Sequence, residues 1–131
     1  MTSRLVMTGS AVVLLLASAC GGGGETGAAQ AASAFGAALD GGDTARACQL
    51  LAPATRSLLE YQESQPCAQA IGQRKLTSGA LRGVVVWGGE AQARTSTDTW
   101  FLTRTGQGWR VAAAGCVAQD DAPYTCKVNG S

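Results

Sequence analysis

Val84-Val85-Val86-Trp87-Gly88-Gly89-Glu90-Ala91-Gln92-Ala93-Arg94-Thr95 is the stretch that decides the fold. A β-branched run, a glycine pair and then alternating residues read as two strands, at 84–87 and 92–97, joined by a tight hairpin turn. Working outward toward the C-terminus, Ser96-Thr97-Asp98 makes a second turn before a strand at 99–103. Thr105-Gly106-Gln107-Gly108 makes a third turn before a strand at 109–114. Connections this short predict an antiparallel meander of about four strands. Within the third strand Trp100, Leu102 and Arg104 share one face and Thr99, Phe101 and Thr103 the other, so either Trp100 or Phe101 points to the core, not both.

Toward the N-terminus the apolar spacing changes. From 28 onward, Ala31, Ala34, Phe35, Ala38 and Leu39 form one stripe at helical intervals. Gly41-Gly42 stops this helix, and Asp43 stands where its carboxylate can cap a second helix at 44–51. Pro53 suits the first turn of a third helix at 54–63, with Leu58, Leu59 and Tyr61. Ser64-Gln65-Pro66 then breaks the chain before a further turn or two at 66–71. Helices first and strands afterwards define an α+β domain.

Composition limits what such a domain can do. The chain has 131 residues, 46% hydrophobic and 15% charged, which suits one domain. Ten Lys plus Arg against nine Asp plus Glu leave +1, with no excess of positive charge for nucleic acid. The absence of histidine removes the neutral-pH proton shuttle, the Ser-His and Cys-His pairs and nearly every common zinc constellation. No cofactor or metal is called for, and no Cys-x-x-Cys pair occurs.

The first residues carry an address. Arg4 is followed by an apolar run at 5–18 and small residues at Ala17, Ser18 and Ala19, the pattern of a signal peptide over 1–19. The run is shorter than the roughly 20 residues a transmembrane helix wants. Leu16-Ala17-Ser18-Ala19-Cys20 resembles a bacterial lipobox, although Ala17 stands where a larger aliphatic residue is more usual. The resemblance implies a diacylglyceryl group and acyl chains such as palmitate on Cys20, anchoring the protein to the extracytoplasmic face of the cell membrane. Loss of Arg4 leaves nine basic and nine acidic groups, so the acyl chains and not net charge would supply the anchoring. Residues 20–29 are then the lipidated cysteine and a flexible Gly-rich tether, and 30–131 a single α+β domain.

Cysteine counting agrees with this. Five cysteines are odd; with Cys20 lipidated, Cys48, Cys67, Cys116 and Cys126 can form two disulfides in an oxidising compartment. Three pairings are open and the sequence does not choose among them. The favoured one, Cys48 with Cys67 and Cys116 with Cys126, would tie the second helix to the start of the fourth and staple the C-terminal segment to the last strand.

Three stretches together resemble a group of small actinobacterial lipoproteins. They are Ala47-Cys48-Gln49-Leu50-Leu51-Ala52-Pro53-Ala54-Thr55-Arg56, Pro66-Cys67-Ala68-Gln69-Ala70, and Gly108-Trp109-Arg110-Val111-Ala112-Ala113-Ala114-Gly115-Cys116 followed by Pro123-Tyr124-Thr125-Cys126-Lys127-Val128. The resemblance spans most of the chain beyond Ala31 and supports the favoured pairing. It implies a cystatin-like cone of the nuclear-transport-factor-two-like kind, helices packed on a curved antiparallel sheet, and it implies no activity.

Such a cone often encloses a cavity, and Phe35, Tyr61, Trp87, Trp100 and Trp109 are the aromatic candidates to line a pocket for a small apolar ligand. Core packing is the simpler reading of the same residues. For acid-base chemistry the candidates are Glu60 and Glu63 beside Tyr61, and Asp98, but helix-surface carboxylates are usually solvated and Asp98 suits a turn. Ser57 and Ser64 have no histidine to activate them. A polar patch of Gln92, Arg94 and Arg104, or the pair Arg74-Lys75, could meet an envelope protein, with solvated surface the simpler account. The expectation is a membrane-anchored, non-catalytic binding module. A cavity lined by the tryptophans would favour a small ligand, a filled core an envelope partner, and the oligomeric state stays open.

Overall fold

The computed structural model describes residues 23–130, so the signal peptide, the lipobox and Cys20 lie outside the described residues. Four helices precede a sheet: α1 (Gly23–Asp40), α2 (Thr44–Leu50), α3 (Pro53–Glu63) and α4 (Cys67–Gln73). The strands are β1 (Leu81–Trp87), β2 (Glu90–Thr95), β3 (Thr99–Thr105), β4 (Gly108–Cys116) and β5 (Val128–Asn129). They form an open antiparallel sheet in the order β1-β2-β3-β4-β5, the meander that the short turns predict.

The first helix starts earlier than its apolar stripe suggests. Residues 23–29, expected as tether, are the opening turns of α1, and Ala28 is fully buried. Glycine costs a helix about 1 kcal/mol relative to alanine, but here its lack of a side chain permits a close approach. A Cβ on Gly27 would stand 2.9 Å from Cδ1 of Trp109. Packing on the sheet therefore overrides the propensity of the glycines. The buried stripe is Ala28, Ala32, Phe35 and Ala38, with Ala31, Ala34 and Leu39 flanking it.

Local chemistry sets the remaining helix boundaries. Amides of Gly41, Gly42 and Asp43 return to carbonyls of Ala37, Leu39 and Ala38 and close α1. The Asp43 carboxylate then accepts from the Arg46 amide at 3.0 Å, capping α2. Pro53 opens α3, and Ser64, with φ +52°, ends it. The Glu60 carboxylate accepts from the Cys67 amide at 3.1 Å, where α4 starts.

The helical layer is joined to one face of the sheet through hydrogen bonds and by apolar burial, while the disulfides act within each layer, one between α2 and α4 and one between β4 and the C-terminal segment. Disulfides link Cys48 to Cys67 and Cys116 to Cys126, the pairing favoured from the sequence. The Ala52 amide donates to the Val111 carbonyl (2.8 Å) and the buried Thr55 hydroxyl to the Ala112 carbonyl (2.8 Å), so the start of α3 is bonded to β4. Ala91, Ala93, Trp100, Leu102, Trp109 and Val111 alternate along β2, β3 and β4 to present the core face. Trp100 thus points inward, while Phe101 lies half-buried on the outer face against Tyr124. The fifth strand was not expected, because two residues give no alternation to read.

Candidate functional site

The five aromatic candidates do not converge on one cavity. Phe35 and Trp100, 0% and 1% exposed, meet edge to face with centroids 5.1 Å apart and fill the space between α1 and the sheet. Trp109 is also buried, packed against Gly27 on one side and beneath the Arg104 guanidinium, which lies 4.9 Å from the ring centroid. Its Nε1–H finds no acceptor among the described residues. Tyr61 and Trp87 are surface side chains, 82% and 57% exposed, because the α3 face bearing Tyr61 looks away from the core and Trp87 is on the outer sheet face.

One aromatic reaches a concavity. A groove of about 370 Å³ runs between the second half of α1 and the segment 78–81, with Trp100 in its wall. It exists because α1 contributes short side chains there: Ala32, Ser33, Gly36 and Ala37. A Cβ on Gly36 would stand 3.3 Å from Cη2 of Trp100, so the ring lies directly against the helix backbone. Asp40 is the one charged side chain lining the groove, and Ser78 donates to its Oδ1 at 3.3 Å.

Asp98 does more than form the turn assigned to it. Oδ1 accepts from the Thr95 hydroxyl at 2.6 Å, and Oδ2 accepts from Trp100 Nε1 at 3.2 Å. A charge-assisted bond to the indole N–H fixes the ring whose edge borders the groove. This contact was missed in the sequence, although residues at i and i+2 share a strand face and Asp98-Thr99-Trp100 carries that spacing.

The other candidates serve the scaffold. Glu60 pairs with Arg56 (3.6 Å) besides binding the Cys67 amide, and Glu63 pairs with Arg74 (2.8 Å). Arg74 also donates to Gln62 and to the Lys127 carbonyl, while Lys127 Nζ donates to the Lys75 carbonyl, so Arg74-Lys75 ties the end of α4 to the C-terminal segment. The proposed patch of Gln92, Arg94 and Arg104 is not formed. Arg94 stands opposite Thr99 at one end of the sheet, whereas Arg104 stands opposite Trp109 at the other, because β2 and β3 run antiparallel. Gln92 instead donates to the Tyr124 hydroxyl at 3.3 Å.

Among the described residues no group of three His, Cys, Asp or Glu side chains could hold a metal, and no helix is long and apolar enough to cross a membrane. Comparison of the chain with protein-family models, curated proteins and solved structures found no match.

Proposed function

We propose that this is a lipoprotein anchored through acylated Cys20 on the extracytoplasmic face of the cell membrane, whose domain is a non-catalytic binding module for an envelope protein. The observation that carries the choice of partner over small apolar ligand is the filled interior: Phe35, Trp100 and Trp109 pack against backbone and one another instead of framing a chamber. A concavity that Trp100 does border is the groove beside α1, walled by short side chains and one carboxylate. Its shape suits a protruding segment of another protein, with a hydrogen-bond donor or cation opposite Asp40. Two disulfides suit an oxidising compartment. Four helices on one face of an antiparallel meander are compatible with the cystatin-like cone and with the lipoprotein group that the sequence resembles.

The test is site-specific photocrosslinking in the native host. A photoreactive residue at Ala37, exposed on the groove wall, is expected to give one discrete adduct, and the same residue at Tyr61 none. Asp40→Ala should weaken the Ala37 adduct. Equal labelling from both positions, or none from either, sinks the groove as a partner site. A native mass carrying a reproducible small-molecule adduct would return the reading to a ligand, and a mature N-terminus without lipid on Cys20 would remove the anchor.

A further inference from the structure

We propose that the end of the domain bearing the β1–β2 and β3–β4 turns rests on the lipid bilayer, with Trp87 seated at headgroup level. The inference rests on acylation of Cys20 and adds the orientation that the anchor imposes. Two residues, Gly21 and Gly22, separate Cys20 from Gly23, the first residue of α1, and the three Cα–Cα steps reach at most about 11 Å. The lipid is therefore confined to the neighbourhood of the first turn of α1.

That turn lies at one end of the sheet. A Cβ on Gly24 would stand 3.5 Å from Cγ1 of Val86 and 3.6 Å from Nη2 of Arg104. Val86 adjoins the turn Gly88-Gly89, and the Arg104 amide donates to the Gly89 carbonyl at 2.7 Å, so both hairpin tips share the end from which the lipidated segment departs. On this end Trp87 projects from the outer face, 57% exposed, beside two glycines that cannot hold it off a flat surface. An indole on a polar surface is the side chain most enriched at bilayer interfaces, where the ring is buried and its N–H stays hydrated. Arg104 and Arg110 are balanced there by Glu25 and Glu90, so the indole and not a charge excess makes the contact. The groove beside Asp40 lies at the opposite end of α1 and faces away from the membrane.

The experiment uses the purified acylated protein in dioleoylphosphatidylcholine vesicles, part of whose lipid carries bromine on the acyl chains. Trp100 and Trp109 are buried, so emission quenched by bromine reports on Trp87. Quenching that is lost in Trp87→Ser is the expected result. Unquenched emission from protein that floats with the vesicles overturns the orientation and leaves the anchor standing. Equal quenching in Trp87→Ser overturns the role of Trp87, and failure to float overturns anchor and orientation together.

Discussion

The two ends of the sheet are built differently. At the turn end, β1 passes to β2 and β3 to β4 through Gly88-Gly89 and Gly106-Gln107, with glycines at the tips and Trp87 open to solvent. At the opposite end, hydroxyl side chains and a disulfide hold the chain. Thr95 and Thr97 gather around Asp98, Thr97 meets Thr77, Ser96 accepts from the Ala80 amide, and Cys116 is bonded to Cys126. The turn end is held by glycine turns and a few local side-chain bonds, such as Thr105 to the Gly108 carbonyl and Thr103 to Glu90. The other is held by a denser hydroxyl cluster and a disulfide that position Trp100 and the segment beside the groove. The difference teaches where a changed side chain should be felt.

Trp100→Ala should break the cross-linked end outright, with a loss of about 3–5 kcal/mol for a large buried aromatic, read from urea unfolding. Removing the bridges comes next. Cys48→Ala with Cys67→Ala, and separately Cys116→Ala with Cys126→Ala, should each cost about 2–4 kcal/mol, the first pair slightly more because it closes the longer loop, 19 residues against 10. A reversed order in Tm would show that the C-terminal staple, not the helical layer, limits stability. Gly27→Ala should destabilise by about 1 kcal/mol despite the better helix former, because its Cβ meets the Trp109 ring; Gly72→Ala, with open space around it, should stabilise by about 0.5 kcal/mol or more. Asp98→Asn should cost about 1 kcal/mol and change the near-ultraviolet circular dichroism, since the charge-assisted bond to the indole is weakened. Trp87→Ala, at the bare end, should move stability by no more than about 0.5 kcal/mol. A large loss there would make the turn end part of the core and erase the contrast.

Much of this was legible in the sequence because local chemistry and tertiary structure agree. Gly88-Gly89, Asp43 and Pro53 each specify a turn, a cap or a first helical turn by themselves, and each is found in that role. What escaped was decided by contacts between distant segments. The glycines of 23–27 look like tether until Trp109, more than eighty residues later, is seen to need a helix backbone without side chains against its ring. Arg94 and Arg104 look like neighbours until the antiparallel register sends them to opposite ends. The groove was illegible for the same reason. It is the space left where short residues of α1 face the segment 78–81, and no single residue announces it.

The bond from Thr55 to Ala112 crosses 57 residues, and the neighbouring Ala52 amide reaches as far along the chain, to Val111. In the order of synthesis the helices are therefore made long before the strand on which α3 docks, and the two-residue β5 that completes that edge comes last. Contacts of such sequence separation cannot form until nearly the whole chain is available. For a polypeptide proposed to work outside the cytoplasmic membrane, this is a built-in delay: α1 and α3 lack the sheet face on which they dock until the far end of the chain has arrived.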